Sequence, residues 1–194
     1  YSASKASAEF LINSYFKSFL SDKKSIRIGI CRAGNVIGGG DWSSNRLIPD
    51  IMRSIFNNKK LQLRNQNSTR PWQHVLDVLN GYLIFAIKLK TNKKLNGEVF
   101  NFGPPDKSNY RVLDIVNEIK KNWPILEWQS TNRKFHESNL LKLNSNKSFT
   151  KLNWKNKLRF KDVIKLVTDW YKCLYEKKDI YNFSISQIKF FLRK

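Results

Sequence analysis

Several residue types are scarce in this 194-residue chain, and each shortage excludes a class of protein. Its two cysteines, Cys31 and Cys173, cannot form a disulfide framework or a four-ligand zinc site. The two histidines lack neighbours at metal-ligand spacing, so we assign no metal. No run reaches the roughly 18 apolar residues of a membrane span, and we expect no membrane partner. Because both cysteines stand in apolar contexts and no charged-then-apolar leader opens the chain, we expect a cytoplasmic protein.

Acidic residues are also few: 15 Asp and Glu face 36 Lys and Arg, for a formal net charge of +21. Such a balance raises the question of a nucleic-acid partner. The basic residues are scattered, however, and a general compositional drift explains them without a function. We therefore expect no nucleic-acid partner and keep a basic nucleic-acid-binding module as a remote alternative.

Helical and strand patterns alternate along the chain, which predicts an α/β fold without internal repeats. Apolar spacing predicts helices over residues 1–20, 46–58, 75–90, 112–123 and 160–177. A further helix in the tail is left open. Strands are predicted over residues 26–31, 61–64 and 98–103. Asn45 is placed to cap the helix that follows it.

The single methionine is Met52, and the chain opens on Tyr1. A newly made chain starts with methionine, so we expect this chain to be a fragment whose front part is missing.

Tyr1 and Lys5 form a Y-x-x-x-K pattern, which places both side chains on one face of a helix. Lowering the tyrosine pKa from about 10 by about 3 units needs roughly 4 kcal/mol. A lysine charge at about 4 Å supplies roughly that amount at an effective dielectric of about 20. The pair is thus competent for acid/base chemistry, although the pattern alone is common and equally fits a solvated helix start.

A glycine-rich loop, RAGNVIGGGDW, follows the first predicted strand. It matches neither a P-loop nor a G-x-G-x-x-G fingerprint, and an ordinary flexible turn would explain it. Loops at the carboxyl ends of buried strands are nevertheless where α/β proteins bind ligands. Asn35 in this loop could donate an amide hydrogen bond to such a ligand.

Three further residues could serve a binding site. Arg70 offers a planar fork suited to phosphate oxygens, or it is a surface arginine beside a core Trp72. Asn101 follows a strand and could donate to a phosphate or hold a turn. His136 lies beside Glu137 in a polar loop, where a surface hydrogen bond is the commoner role.

In combination and in chain order, these segments resemble the nucleotide-sugar branch of the extended short-chain dehydrogenase/reductase family, within it most of all the CDP-glucose 4,6-dehydratases. The resemblance runs from residue 1 to about residue 175 and leaves the tail at 180–194 unassigned. The segments that carry it are YSASK (1–5), RAGNVIGGGDW (32–42), NRLIPDI (45–51), RPWQHVLDVLNGYL (70–83), NFG (101–103) and HESNLLKL (136–143).

The resemblance implies a carboxyl-terminal part of a Rossmann-type NAD(P)-binding fold together with a smaller α/β domain that binds the nucleotide sugar. The two would be interleaved, the Rossmann-type part mainly over 1–34 and 75–103 and the substrate-binding part mainly over 35–74 and 104–175. The glycine-rich NAD fingerprint and the residues for the elimination step would precede residue 1. We therefore expect this chain alone to be inactive.

The resemblance also implies roles for individual residues. Tyr1 would take the proton of the sugar 4-hydroxyl, and Lys5 would assist it and bind the nicotinamide ribose of NAD. The substrate-binding residues, for diphosphate, nucleotide and sugar together, would be Asn35, Leu47, Ile48, Arg70, Asn101 and His136.

The implied reaction is the NAD-dependent dehydration of CDP-glucose to CDP-4-keto-6-deoxyglucose, which feeds deoxysugar synthesis for surface polysaccharides such as the lipopolysaccharide O-antigen. Another nucleotide-sugar 4,6-dehydratase or an epimerase, acting on GDP-mannose, dTDP-glucose or a UDP-sugar, is the alternative. The full-length enzyme would be a homodimer, with residues 4–20 and 75–90 as the candidate interface. A degenerate remnant is a third possibility, which the intact candidate residues disfavour.

Overall fold

The computed structural model describes residues 2–23, 25–105, 108–131 and 143–194. Seven α-helices are assigned in this part of the chain. They are α1 (Ser2–Tyr15), α2 (Leu47–Phe56), α3 (Val75–Thr91), α4 (Val112–Asn122), α5 (Asn146–Leu152), α6 (Phe160–Tyr175) and α7 (Ile180–Arg193). A π-helical segment, Phe16–Leu20, extends α1, and a short 3₁₀ turn, Lys93–Leu95, follows α3.

The strands form four two-stranded ladders, three of them parallel. The strands are β1 (Ile30–Ala33), β2 (Val36–Ile37), β3 (Leu61–Leu63), β4 (Thr69–Arg70), β5 (Gln73–His74), β6 (Val99–Phe102), β7 (Tyr110–Arg111) and β8 (Trp128–Ser130). The parallel pairs are β1–β6, β2–β5 and β3–β8, and β4 pairs with β7 antiparallel. In the longest ladder, Ile30 faces Val99 and Ala33 faces Phe102, so both strands point their carboxyl ends at the same edge.

Two hydrophobic clusters make up the core of the described residues. The larger one gathers side chains from α2, β3, α4 and α6, and it includes Phe191 of α7. The smaller one surrounds Phe100, Phe102 and Trp154, which all have 0% exposure. The tail that the sequence left unassigned is therefore a helix with one side chain in the main core.

The predicted helices and strands are present, with differences at two of them, and the sequence did not predict α5 or the short strands β2, β4, β5 and β7. The strand predicted over 26–31 begins only at Ile30, because the residues before it lie outside the ladder with β6. Arg46 and not Asn45 occupies the cap position of α2, and its side chain makes no capping hydrogen bond. Asn45 instead adopts a left-handed backbone with φ of 60°, which asparagine tolerates better than most residues. No helix in the described part of the chain is long and apolar enough to cross a membrane.

Candidate nucleotide-binding cleft

A cleft of about 620 Å³ opens at the carboxyl end of β1. Five segments of the chain form its walls: the end of β1 with the glycine-rich loop, the start of α2, β3 with the residues after it, the segment that contains β4, and the start of α4. The lining comprises Ala33, residues 35–38, Asp41, residues 45–50, residues 61–65, Arg70, Trp72 and Val112. This is the edge at which parallel α/β sheets bind ligands.

Four of the candidate residues meet in this cleft: Asn35, Leu47, Ile48 and Arg70. Asn35 is half-buried and holds a left-handed backbone with φ of 49°. Arg70 is 8% exposed, and its Nη1 donates to the carbonyl of Thr69 at 2.8 Å. The sequence left open a surface Arg70 beside a core Trp72; the arginine is in fact the more buried of the two, and both line the cleft.

The other candidates lie elsewhere or outside the described residues. Asn101 stands on β6 beside the end of β1, but its Nδ2 donates to the carbonyl of Asn144 at 2.9 Å, and it is not among the cleft-lining residues. Lys5 is exposed on α1. Tyr1 and His136 fall outside the described residues, so their predicted roles stay predictions.

The cleft is basic. The guanidinium groups of Arg46, Arg64 and Arg70 line it, together with the carboxylates of Asp41 and Asp50. Asp50 forms an ion pair with Arg53 on the next turn of α2, so its charge is compensated. The start of α2 also lies in the wall, and helix amino termini favour anions. The arrangement suits a ligand with negatively charged oxygens.

Helix α6 packs against the glycine-rich loop. A Cβ atom on Gly39 would lie 2.1 Å from Cδ2 of Trp170, so only glycine allows this approach. The hydroxyl of Tyr171 donates to the carbonyl of Asp41 at 2.7 Å. Burial raises the pKa of Tyr171 to about 12, which keeps this donor protonated at neutral pH. Gly39 is therefore packed against α6, and Gly38 is the one residue of the triplet among those that line the cleft.

Gln73 and His74, the two residues before α3, are buried and do not line the cleft. His74 caps α3, with its Nδ1 accepting from the backbone N–H of Leu76 at 3.2 Å. Burial lowers the pKa of His74 to about 4, so the ring is neutral near pH 7 and keeps this acceptor. Asp77 is also fully buried and accepts from the backbone N–H of Lys157 at 2.8 Å. Burial raises the pKa of this carboxyl.

Sequence reasoning missed Arg46, Arg64 and Asp41 as cleft residues. Arg64 directly follows a predicted strand, which is a position where α/β proteins place ligand-binding side chains. The LQLR segment therefore contains a local signal for a cleft residue. Arg46 and Asp41 carry no such signal, because their location depends on how the loop packs. Within residues 2–23, 25–105, 108–131 and 143–194, no group of three or more His, Cys, Asp or Glu is placed to hold a metal ion.

The fold is similar to that of solved nucleotide-sugar enzymes. UDP-glucuronic acid 4-epimerase from Bacillus cereus, solved with UDP-glucuronic acid and NAD, has a TM-score of 0.73 at 23% identity, over 89% of this chain and 52% of that one. dTDP-glucose 4,6-dehydratase from Bacillus anthracis, solved with NAD, has a TM-score of 0.69 at 22% identity, over 92% of this chain and 53% of that one. These similarities show the class of fold, which is Rossmann-like, and they confirm the predicted α/β class.

Sequence comparisons narrow the class to a family. The family model described as GDP-mannose 4,6 dehydratase matches residues 1–167. CDP-glucose 4,6-dehydratase from Salmonella typhimurium is 36% identical over 186 residues, which cover 93% of this chain and 52% of that protein. The chain therefore belongs to the nucleotide-sugar 4,6-dehydratase family, as the resemblance predicted. It spans about half the length of this relative.

Proposed function

We propose that the complete protein containing this chain dehydrates CDP-glucose to CDP-4-keto-6-deoxyglucose with NAD as its cofactor. One observation carries the proposal: three segments quoted for the family resemblance, RAGNVIGGGDW, NRLIPDI and RPWQHVLDVLNGYL, all contribute residues to one basic cleft at the carboxyl end of β1. The 36% identity to CDP-glucose 4,6-dehydratase supports the choice of nucleotide sugar. A cytoplasmic location and a place in deoxysugar synthesis belong to the same proposal.

The cleft would hold the diphosphate of the substrate. Arg70 presents a guanidinium fork whose planar donors match two phosphate oxygens. The amide of Asn35 would add a neutral donor from the glycine-rich loop. Leu47 and Ile48, at the start of α2, would contact the nucleotide or the sugar with apolar atoms. His136 belongs to this proposal through the resemblance alone.

Asn101 fits the proposal in a different way. Its Nδ2 is engaged with the carbonyl of Asn144, while its Oδ1 is buried and has no hydrogen-bond partner among the described residues. Because a buried polar atom without a partner is costly, this oxygen is a candidate acceptor for a ligand hydroxyl or a water. We propose that Asn101 borders the substrate at the turn after β6.

The residues present fit the part of NAD that approaches the carboxyl edge of the sheet. Glu9 on α1 forms an ion pair with Arg32 near the end of β1. Lys5 lies one turn before Glu9, so it shares the face of α1 that is turned toward this edge. Lys5 and Tyr1 would bind the nicotinamide ribose there. Bound NAD would supply an acceptor for the hydride from the sugar C4 and would return this hydride at C6, so no NAD is consumed in a turnover.

The chain's own residues would move one proton at the start of the reaction. Tyr1 would accept the proton of the sugar 4-hydroxyl, and the ammonium group of Lys5 would stabilise the tyrosinate that precedes this step. Loss of water from C5 and C6 then follows from the acidity of the C5 proton beside the 4-keto group. A Tyr1→Phe variant of the complete protein should bind substrate and lose turnover.

The test is an assay of the complete encoded protein with CDP-glucose and NAD, following the alkali-induced absorbance of a 4-keto-6-deoxy sugar. GDP-mannose, dTDP-glucose and UDP-glucose would be assayed in parallel. Product from CDP-glucose alone supports the proposal, and product from another of these sugars overturns the substrate. Binding of a nucleotide sugar without formation of a 4-keto-6-deoxy sugar would favour an epimerase.

A matched pair of arginine variants tests the cleft itself. Arg70→Gln should weaken CDP-glucose binding by about tenfold or more, because a charge-assisted hydrogen bond is lost. Arg193→Gln, on the exposed end of α7, should leave the affinity unchanged. Equal effects of the two substitutions would contradict the proposed location of the diphosphate.

We also propose that the Rossmann-type part lies mainly over 1–34 and 75–103 and the substrate-binding part mainly over 35–74 and 104–175. The two hydrophobic clusters support this division in outline. Leu152 and Trp154 are exceptions, since they pack in the smaller cluster against β6 and α3. The interleaving would place the cleft where the chain crosses between the two parts.

A homodimer is the last part of the proposal. The outer face of α1 exposes Phe10 (76%) and Leu11 (70%), and α3 exposes a stripe of Leu79, Leu83 and Ile87 at helical spacing. Exposed apolar surface of this kind favours association. Leu83→Asp should convert a dimer of the complete protein to a monomer in sedimentation, whereas Lys161→Asp on the exposed side of α6 should not.

A further inference from the structure

Gln73 is a buried glutamine that no part of the proposed chemistry uses. Its side chain is 1% exposed, and it does not line the cleft. Its Nε2 donates to the carbonyl of Phe102 at 2.7 Å and to the carbonyl of Gly34 at 3.0 Å. Because both partners are acceptors, the amide nitrogen must face them, which settles the orientation of the amide group.

These two carbonyls stand where the β1–β6 ladder ends. Ala33 and Phe102 form the last paired position of the ladder. Beyond it, the segment after β1 continues toward the cleft and the segment after β6 enters a turn. The carbonyls at this point need donors that a neighbouring strand no longer supplies. The side chain of Gln73 supplies both of them, so a single amide group joins the diverging ends.

Gln73 also holds the glycine-rich loop through its backbone. Its N–H donates to the carbonyl of Asn35 at 3.2 Å, and it pairs with Val36 in the β2–β5 ladder. Asn35 has a left-handed backbone that an asparagine adopts only with some strain, so surrounding contacts must maintain it. Gln73 touches the residue on each side of Asn35 as well as Asn35 itself.

We propose that Gln73 is a positioning residue of the cleft, which sets the separation between the Asn35 loop and the turn after β6 and thereby the affinity for the nucleotide sugar. The identity of the ligand in this inference rests on the proposed function, whereas the hydrogen-bond geometry of Gln73 does not. It acts through Asn35 and through the strand end that carries Asn101, and it does not contact the substrate.

Gln187 provides a matched control. It is also a buried glutamine, 8% exposed, and its Nε2 donates to a backbone carbonyl, that of Leu166, at 2.8 Å. This bond joins α7 to α6, away from the residues that line the cleft. Leucine removes two side-chain hydrogen bonds to backbone carbonyls at position 73 and one at position 187, so Gln187→Leu controls for the loss of a buried glutamine donor at a distant location.

The first measurement is the affinity of the complete encoded protein for CDP-glucose by titration calorimetry. Gln73→Leu should raise the dissociation constant by about tenfold, because both hydrogen bonds that hold the two strand ends in position are lost. Gln187→Leu should change it by less than about twofold, as expected for a distant site. Equal dissociation constants for Gln73→Leu and the parent protein, or equal weakening by both variants, would overturn the inference.

The second measurement needs no ligand. Amide hydrogen exchange at residues 34–36 and 102–103 should be faster in Gln73→Leu than in the parent protein, and unchanged there in Gln187→Leu. Unchanged exchange in Gln73→Leu overturns the positioning role whatever the protein binds. Failure of the parent protein to bind any nucleotide sugar, with faster exchange in this variant, instead overturns the proposed function and leaves the geometry standing.

A conservative variant guards against loss of folding. In Gln73→Glu, a protonated carboxyl can donate one of the two hydrogen bonds and an ionised one can donate neither. The ratio of its dissociation constant to that of the parent protein should therefore rise with pH as the new carboxyl ionises. A ratio of one at every pH would contradict the role assigned to Gln73.

Discussion

Helices α1 and α6 have similar lengths, 14 and 16 residues, but they are buried to very different extents. No residue of α1 is buried, whereas α6 buries Val163, Ile164, Leu166, Val167, Thr168, Tyr171 and Cys173. Both helices contain large apolar side chains. The difference comes from their neighbours: α6 packs between α4 and α7, while α1 meets β1 through the Glu9–Arg32 ion pair.

The comparison teaches that an apolar helix face contributes to the core only when another element covers it. α6 also contacts the glycine-rich loop, since Trp170 packs on Gly39 and Tyr171 donates to the carbonyl of Asp41, which lines the cleft. Its packing is therefore coupled to the proposed site. α1 carries Lys5 toward the same edge of the sheet, but its apolar face lies on the surface of the described residues.

The largest loss of stability should come from a substitution in the buried helix, α6. Ile164 on α6 is 0% exposed, so Ile164→Ala should lower the free energy of unfolding by about 2–5 kcal/mol. Denaturant unfolding monitored by circular dichroism measures the change. A loss below about 1 kcal/mol would show that α6 can relax around the cavity, and the contrast with α1 would then be much weaker.

The dependence of stability on pH should also concentrate on buried groups. His74 has its pKa lowered to about 4 by burial, against about 6.5 in an unfolded chain. Between these values the unfolded state binds more protons, so stability is complete above pH 6.5 and is lost as pH falls toward 4, by about 3 kcal/mol. Thermal unfolding across this range measures the loss.

His74→Asn is the control for this titration, because asparagine is a good helix cap and does not titrate. It should remove most of the loss between pH 6.5 and 4. Asp77, whose raised pKa gives the opposite slope, is present in both proteins and cancels in the difference. Glu9→Gln, at the ion pair that holds α1, should change the profile little, because exposed pairs contribute at most about 1 kcal/mol. Equal profiles for His74→Asn and the parent would contradict the assignment.

The contact between α6 and the glycine-rich loop can be tested with two glycines of that loop. Gly39→Ala forces a methyl group against Trp170 and should destabilise the protein by about 1–3 kcal/mol. Gly34→Ala should cost less than about 0.5 kcal/mol, since no atom lies within 4 Å of the added Cβ. Denaturant unfolding compares the two. Similar losses for both would mean that α6 does not restrain the loop.

The smallest effect is expected on α1. Leu11 is 70% exposed, so Leu11→Ala should change the stability of a monomer by no more than about 0.5 kcal/mol. Measured across a range of protein concentrations, a larger loss that appears only at high concentration would support the proposed dimer. A large loss at every concentration would mean that α1 is packed within one chain, contrary to the comparison.

The positions of the longer helices and strands could be predicted from the sequence because their signals are local, whereas α5 and most of the short strands were not predicted. The apolar period of α6 and the strand at Val99–Phe102 are examples. The convergence of Asn35 and Arg70 on one cleft was implied by the family resemblance and is visible in the geometry. Tyr1 and His136 stay predictions, since they lie outside the described residues.

Other parts of the site carried no local signal. The bond from Tyr171 to Asp41 joins residues 130 positions apart, and that from Gln73 to Phe102 spans 29. Such pairs depend on how completed elements pack, which periodicity does not encode. The glycine triplet illustrates the limit: its composition allowed a flexible turn, and only the tertiary structure shows the close approach of the Trp170 ring to Gly39.

The amino-acid sequence was therefore sufficient for the class of fold, the order of its elements and the family, because helix and strand periods and short motifs are written in neighbouring residues. Tertiary packing alone settled which apolar faces are covered, which arginines line the cleft, and that a buried glutamine joins two diverging strand ends. These features arise from contacts between distant segments, and their energies exist only once the chain has brought those segments together.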